Sequence, residues 1–377
     1  MSDTSPNLTI TAGRVFCVAT DLDGPGGVEV RGGKIVASGP NVTRCGDDSL
    51  DFRDGLLIPG LVDLHAHPGL PTWRFAIDPD VEILPRGTTT ILSQGDAGAE
   101  TWPIFREKFI EGAQTRVKLA ISPSVKGELE DRGVFINLHE VDVEACVSTI
   151  EEGGEDIWGL AANLTTKACG DNDPREVMRR TLEIAERTGR PILYGPRREP
   201  SDWPLAEQLK LLRPGDVVTY CFHDDAESII AGGRVVESAW EARERGVLFD
   251  VGHGKGTDDM GVGPDAIADG FLPDTISSDV YNNHLGWDPP HDLARTVSRM
   301  IAIGVPETEA LARATQRPAE VLGLAGQVGT LAPGADGDLT VLRWSDPVHL
   351  AMVNGESRSG PCLEPVLTVK AGRIVGR

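Results

Sequence analysis

The segment Asp63-Leu64-His65-Ala66-His67-Pro68-Gly69 places two imidazoles two residues apart at the end of an apolar run. Along a β-strand, residues two apart point to the same side. His65 and His67 can therefore turn ring nitrogens toward one metal ion, a use for which imidazole pairs are well suited. An ion held there would lower the pKa of a bound water or polarise a carbonyl. Two unrelated histidines beside a turn are the plainer alternative. Arg197-Arg198 follows the apolar stretch Pro191 to Tyr194. A guanidinium there can grip a carboxylate with two parallel hydrogen bonds, or close a local salt bridge with Glu199 and Asp202. His223, in His223-Asp224-Asp225, is a solvated loop residue, a replacement ligand or a proton shuttle. Lys167 reads as a substrate or surface lysine.

These residues need a scaffold. Strand candidates run Leu56 to Leu64, Thr88 to Ser93, Val117 to Ser122, Ile157 to Leu164, Pro191 to Tyr194, Val217 to Phe222, Val247 to Val251 and Thr275 to Ser278. Helical patterns such as Pro174 to Arg187 and Val235 to Arg245 separate most of them. Eight strand-plus-helix units over about 270 residues match an α/β fold of the (β/α)8 barrel type, whose strands are buried on both faces. Chemistry in that fold lies at the C-terminal strand ends, where His65, His67, Arg197, His223 and His253 fall. His284 and His291 lie in a longer loop with Trp287 and Pro289-Pro290, which reads as a substrate-covering segment. His139 and His349 have no such company and read as structural.

Both chain ends have a different rhythm. Leu8 to Ala12, Gly27 to Arg31 and Lys34 to Ser38 are β-rich, with Gly32-Gly33 as a hairpin join. Asp338 to Arg343, Leu367 to Lys370 and Arg373 to Val375 repeat the style. The two ends are expected to form one small β-domain from residues 1–58 and 329–377, with the barrel spanning 59–328.

Composition excludes several classes. The 377 residues carry 36 Lys+Arg and 58 Asp+Glu, a net charge of −22. Such a chain is repelled by nucleic-acid phosphates and anionic lipid, so neither is an expected partner. No apolar run approaches the roughly 20 residues of a membrane span, and Met1 to Pro6 lacks the features of a secretory signal. The six cysteines, Cys17, Cys45, Cys146, Cys169, Cys221 and Cys362, form no C-x-x-C pair. That suits free thiols in a cytoplasmic protein. A small-molecule substrate and a homo-oligomeric state are expected.

The chain resembles the amidohydrolase superfamily. The motifs are Leu57-Ile58-Pro59-Gly60-Leu61-Val62-Asp63-Leu64-His65-Ala66-His67 and Arg86-Gly87-Thr88-Thr89-Thr90. The dihydroorotase-like deacetylase and esterase branch is the nearer likeness. Its support is Gly95-Asp96-Ala97-Gly98-Ala99, Arg213-Pro214-Gly215-Asp216, Phe249 to Gly254, Phe271 to Asp279 and Gly329 to Asp338. The resemblance implies a distorted metal-bearing barrel with a β-sandwich built from both termini.

It also implies a ligand set, and here the chain departs from the family pattern. Two-metal members hold one ion with the histidine pair, a carboxylated lysine on strand four and an aspartate on strand eight. The second ion adds histidines from strands five and six. His65, His67 and Asp279 match the first set, while Ala161 stands at the lysine position, and Tyr194 and Tyr220 at the two histidine positions. The ligands peculiar to the second ion are thus gone. One divalent ion is expected on His65, His67 and Asp279, zinc first, with iron or manganese as alternatives. Asp279 would also take a proton from water. Tyr194, Tyr220 and His253 would polarise or orient a substrate carbonyl, and Arg197, His223 and His284 would bind substrate. The expected activity is metal-dependent hydrolysis of an amide, lactam or ester in a small carboxylate-bearing molecule. Non-hydrolytic acid/base chemistry on the two tyrosines, as a lyase, isomerase or cyclase, and an inactive ligand-binding homologue are the alternatives.

Overall fold

The computed structural model describes residues 7–44, 49–253, 262–351 and 357–376. Met1–Pro6, Cys45 and Gly254 lie outside the described residues. Strands β1 (Leu8–Cys17), β2 (Leu22–Arg31), β3 (Lys34–Gly39) and β4 (Ser49–Pro59) open the chain. Next come β5 (Leu61–Ala66), β6 (Thr88–Gln94), β7 (Arg116–Ile121), β8 (Ile157–Asn163), β9 (Ile192–Gly195) and β10 (Val217–Val218). A small hairpin of β11 (Ile230–Ala231) and β12 (Arg234–Val235) precedes β13 (Leu248–Phe249). The last strands are β14 (Leu339–Trp344), β15 (Val348–Ala351), β16 (Ser357–Gly360), β17 (Leu363–Lys370) and β18 (Arg373–Gly376).

The two chain ends share one seven-stranded sheet, in the order β18-β17-β14-β4-β1-β2-β3. Its pairs are antiparallel except β1 with β4. The β2–β3 turn is Gly32-Gly33, with φ of 56° and 74° at the two glycines, a conformation that side chains disfavour. Ile10, Val28, Val30, Leu57, Val341 and Val369 form its own buried core.

The second sheet runs β13-β10-β9-β8-β7-β6-β5, all parallel. It curls toward closure through the chain around Thr275 to Val280. There the expected eighth strand is reduced to isolated parallel bridges, Asp250 with Thr275 and Ala66 with Val280. The apolar run Leu56 to Leu64 is not one strand. It splits at Gly60, so that β4 joins the terminal sheet and β5 the barrel. A Cβ on Gly60 would stand 2.3 Å from Thr89 Oγ1. Strands β10 and β13 are shorter than their apolar runs, because Thr219, Tyr220 and Asp250 turn away to build the barrel mouth.

Val62, Leu64, Leu92, Ala120, Ala161, Leu193 and Val217 pack with Ala319, Leu322 and Leu324 into one buried cluster. The helix Pro174–Thr188 shows how the outer layer forms. Asp173 caps its start by accepting from Arg175 N–H, Pro174 opens it, and Gly189 ends it in the left-handed region. Its Val177, Met178, Thr181, Ile184 and Ala185 are buried. The second expected helix spans Glu237–Glu244.

The loops after β6 and β7 meet almost without clearance. A Cβ on Gly98 would lie 1.9 Å from the Ser124 carbonyl oxygen and 2.6 Å from the Val125 carbonyl carbon. Backbone cannot yield as a flexible side chain does. Gly98→Ala is therefore expected to destabilise the fold by about 1–3 kcal/mol, read as a lowered denaturant midpoint; an unchanged midpoint would contradict this packing.

Candidate metal centre at the barrel mouth

The β5–β6 register slips between Asp63 and Ala66, a bulge that re-aims the side chains just where the histidine pair sits. Asp63 anchors this bend. Its carboxylate accepts from the backbone N–H of His65 and of Ser278 (3.1 Å each) and from the Ser278 hydroxyl (2.5 Å). It thereby ties β5 to the segment that bears Asp279. Burial pushes the Asp63 carboxyl up to about 7, against the pull of the Ser278 hydrogen bonds.

His65, His67 and Asp279 are all buried, and their ligand atoms lie within 4.8 Å of one another. Asp279 Oδ1 stands 3.2 Å from His65 Nε2 and 3.1 Å from His67 Nε2. The other nitrogen of each ring is occupied. His67 Nδ1 is 2.8 Å from Asp96 Oδ1, and Asp96 accepts from the Ser93 hydroxyl at 2.6 Å. His65 Nδ1 is 3.0 Å from Thr219 Oγ1, whose own proton goes to Asp250 Oδ2 at 2.9 Å. Asp250 also accepts from the hydroxyls of Thr275 (2.7 Å) and Ser277 (2.5 Å).

These partners settle the tautomers. Asp96 is an acceptor, so His67 carries its proton on Nδ1. Thr219 has already donated its proton, so it accepts from His65 Nδ1–H. Both Nε2 atoms then point bare lone pairs toward a carboxylate oxygen. Two ring nitrogens and a carboxylate oxygen that converge within 4.8 Å form a donor set that fits a divalent cation. The electrostatics show a site that draws positive charge. Burial opposes a charge on His67, but Asp96 and Asp279 outweigh it and hold its pKa well above the usual value, so without an ion a second proton takes the place on Nε2 that a cation would fill. Burial likewise works against ionised Asp279, yet His65 and His67 hold it well below the carboxylate range.

Asp279 (φ 48°) and Tyr220 (φ 59°) both adopt left-handed backbone, a strain that non-glycine residues carry where the surroundings over-determine it. The Tyr220 hydroxyl reaches 3.2 Å from His65 Nε2. Burial, followed by the Asp279 charge, raises its pKa well above that of a free phenol, so it stays a proton donor.

A cleft of about 250 Å³ opens above these groups. His67, Asp279 and Tyr220 line it together with Phe75, Tyr281, Gln94 and Glu128. Asn163, Thr165, Lys167 and Arg198 complete the wall. Phe75 packs against both His67 (ring centroids 5.1 Å apart) and Tyr281 (5.4 Å).

Several expected site residues fall elsewhere. Tyr194 faces away from the barrel interior. Its hydroxyl donates to Gln208 Oε1 at 2.6 Å, while Leu193 packs in the barrel cluster and a Cβ on Gly195 would meet Asn163 Oδ1 at 2.8 Å. The inward position on strand five is therefore Gly195, one residue on. Arg197 is held by Asp202 in a two-point pair (3.1 and 2.8 Å), and Arg198 takes the wall of the cleft. Arg198 lies over the Tyr220 ring at 5.1 Å and pairs with Asp225 at 3.3 Å. His223 is buried rather than solvated, 3.4 Å from Asp225, and burial lowers its pKa to about 3. His284 is stacked on His291 (4.2 Å) with Tyr281 and Trp287 beside it, and does not line the cleft. His253 is buried near His291, with ring centroids 5.8 Å apart, and is also not part of the lining.

Asp96, Thr219, Asp250 and Glu128 were not among the expected site residues, and of the pair Arg197-Arg198 only Arg197 was assigned to substrate. Asp96 had a signal in the motif Gly95-Asp96-Ala97-Gly98 just beyond a strand end. Thr219 and Asp250 are ordinary residues whose part emerges only from contact. The five described cysteines are buried and free, with Cys169 pushed up to about 12 by burial, as inert thiols should be.

Residues 254–375 match the amidohydrolase family model. A protein named deacetylase from Enterococcus faecalis is 27% identical over 354 residues, covering 92% of this chain and 94% of its own length. A deacetylase of Agrobacterium fabrum is 29% identical over 316 residues, covering 82% and 76%. Among solved structures, an adenine deaminase superposes with a TM-score of 0.87 at 25% identity, covering 98% of this chain and 100% of its own. A dihydroorotase follows with 0.85 at 26% identity, covering 98% of each. The chain is similar to proteins of the amidohydrolase family along most of its length, and matches the family model over its last third. These matches support a hydrolase acting on C–N bonds, on a TIM-barrel-like fold. Among the described residues, no helix is long and apolar enough to cross a membrane.

The ring partners should govern ion affinity. Asp96→Asn and Thr219→Val are each expected to weaken zinc binding about 10- to 100-fold, measured by competition with a chromophoric chelator. Wild-type affinity in both variants would refute the tautomer argument.

Proposed function

We propose that this protein is an amidohydrolase that cleaves an amide, lactam or ester bond in a small carboxylate-bearing molecule, using one divalent ion, zinc in the first instance. One observation carries the reading: the Nε2 atoms of His65 and His67 and one oxygen of Asp279 converge beside a cleft of substrate size that His67 and Asp279 line. The names of the relatives from Enterococcus faecalis and Agrobacterium fabrum support an N- or O-acyl substrate. A single ion is favoured because Ala161 offers only a methyl group and Gly195 no side chain where a second ion would need ligands.

When bound, the ion would polarise the scissile carbonyl and ease ionisation of water. His65, His67 and Asp279 hold it. Asp279 Oδ1 is turned to the histidines, leaving its second oxygen to receive the proton of the attacking water. The Tyr220 phenol donates a hydrogen bond to the oxygen on which negative charge develops. Arg198 and Lys167 offer positive charge on the cleft wall for a substrate carboxylate, and Phe75 with Tyr281 present an aromatic surface to its apolar part. A non-hydrolytic reaction on a pair of tyrosines loses its support, since Tyr194 is bonded to Gln208 outside the cleft.

Dialysis against a chelator should abolish hydrolysis of N-acetylated amino acids, and about one equivalent of zinc should restore it. Full activity in a preparation shown to be metal-free would overturn the reading. Arg198→Met is expected to raise KM for a carboxylate substrate about 10-fold or more, the scale of one charge-assisted hydrogen bond. The neutral amide of the same substrate should be little affected. Equal changes for both would remove Arg198 from recognition.

A further inference from the structure

The cleft contains a carboxyl group that none of the roles above uses. Glu128 belongs to the loop after β7, and its backbone N–H donates to the Gly95 carbonyl at 2.9 Å. That bond fixes the loop over the ends of β6 and β8. A Cβ placed on Gly95 would lie 3.3 Å from the Ala161 Cβ and 3.7 Å from Glu128 Oε1. The Glu128 carboxyl thus stands within about 7 Å of the Ala161 methyl, in the space that the small side chain at 161 leaves open. It lines the same cleft as His67, Asp279 and Tyr220. It does not join the cluster in which His65, His67 and Asp279 lie within 4.8 Å of one another. It is thus a carboxyl separate from the ligand set, in the lining of the same cleft.

We propose that Glu128 is a catalytic residue, the general acid that protonates the leaving group. The proposal rests on the hydrolytic reading above and assigns a second carboxyl to it. The water oxygen bonds to the carbonyl carbon, and its proton passes to Asp279. The bond from that carbon to nitrogen then breaks, its electron pair stays on nitrogen, and the Glu128 carboxyl proton is delivered there. The products are a carboxylic acid and an amine. Exchange with solvent returns a proton to Glu128 and removes one from Asp279, so no oxidant or further reactant is needed.

The environments of the two carboxyls match these separate tasks. Asp279 is gripped by two imidazoles. Glu128 faces the cleft, where burial, opposed by His67 and aided by Asp96, brings its pKa to about 7. A carboxyl that keeps its proton near neutrality can surrender it to a departing amide nitrogen.

The test uses the zinc-loaded full chain and two substrates with the same acyl group, an N-acetylated amino acid and 4-nitrophenyl acetate. An amine needs a proton to depart, whereas 4-nitrophenolate does not. Glu128→Gln is expected to lower kcat for the amide by about 100-fold or more, the scale of general acid catalysis. It should lower kcat for the aryl ester less than about 10-fold, with zinc content and thermal midpoint as in the wild type. Glu128→Asp should recover part of the amide rate. Equal losses on both substrates, no loss on the amide, or loss of zinc would overturn the assignment while leaving the hydrolytic reading in place. A wild-type chain that cleaves neither substrate would overturn the hydrolytic reading, and the role of Glu128 with it.

Discussion

The site depends on where two protons sit. Asp96 accepts a hydrogen bond from His67 Nδ1–H, and Thr219, which donates its own proton to Asp250, accepts one from His65 Nδ1–H. Both Nε2 lone pairs are thereby directed at Asp279. If either proton moved to Nε2, that ring would become a hydrogen-bond donor to Asp279 and cease to be a ligand. Buried carboxylates are costly without partners. Here each is satisfied by hydroxyls and ring N–H groups, so their charge is spent on orienting imidazoles.

The barrel explains how such distant residues meet. His67 and Asp96 come from β5 and the loop after β6, neighbours in a parallel sheet. Asp250 follows β13, at the other end of the sheet, while Asp279 lies in the segment that bridges back to β5. Closure is what brings the two ends together. That closing segment makes only isolated bridges, and Asp63 reinforces it by bonding both His65 N–H and Ser278. Incomplete strand pairing and a firmly held ligand are compatible because a side-chain carboxylate does part of the work of a ladder.

The cleft itself is asymmetric. Phe75 and Tyr281 give one wall an aromatic surface, while Arg198 and Lys167 supply cations elsewhere in the lining. The charge of −22 sets the long-range field, but binding inside a cleft is decided by the few groups within a Debye length, about 8 Å at physiological salt. An acidic protein can therefore bind an anion.

Much of this was legible in the chain. The histidine pair at a strand end, the alternation of strands and helices, and the β-rich ends follow from local spacing. Asp279 came from the resemblance of its flanking motif. The failures have a common cause. Side-chain direction along a strand reverses with a shift of one residue, and neither strand end nor bulge is fixed by local pattern alone. So Tyr194 was expected inward where Gly195 is, and Arg197 was expected to bind substrate, whereas Arg198 is the one that lines the cleft. Glu128 carries no spacing signal at all, and Asp250, though inside the motif Phe249 to Gly254, gives no local sign of its partner. Their parts arise from contacts across the barrel, between residues such as Thr219 and Asp250 that are 31 positions apart. The sequence by itself determined the type of fold and the pair of imidazoles, because both rest on periodicity within a few residues. Only the tertiary structure decided which protons those imidazoles carry and which carboxyl stands free in the cleft, because both depend on chain closure.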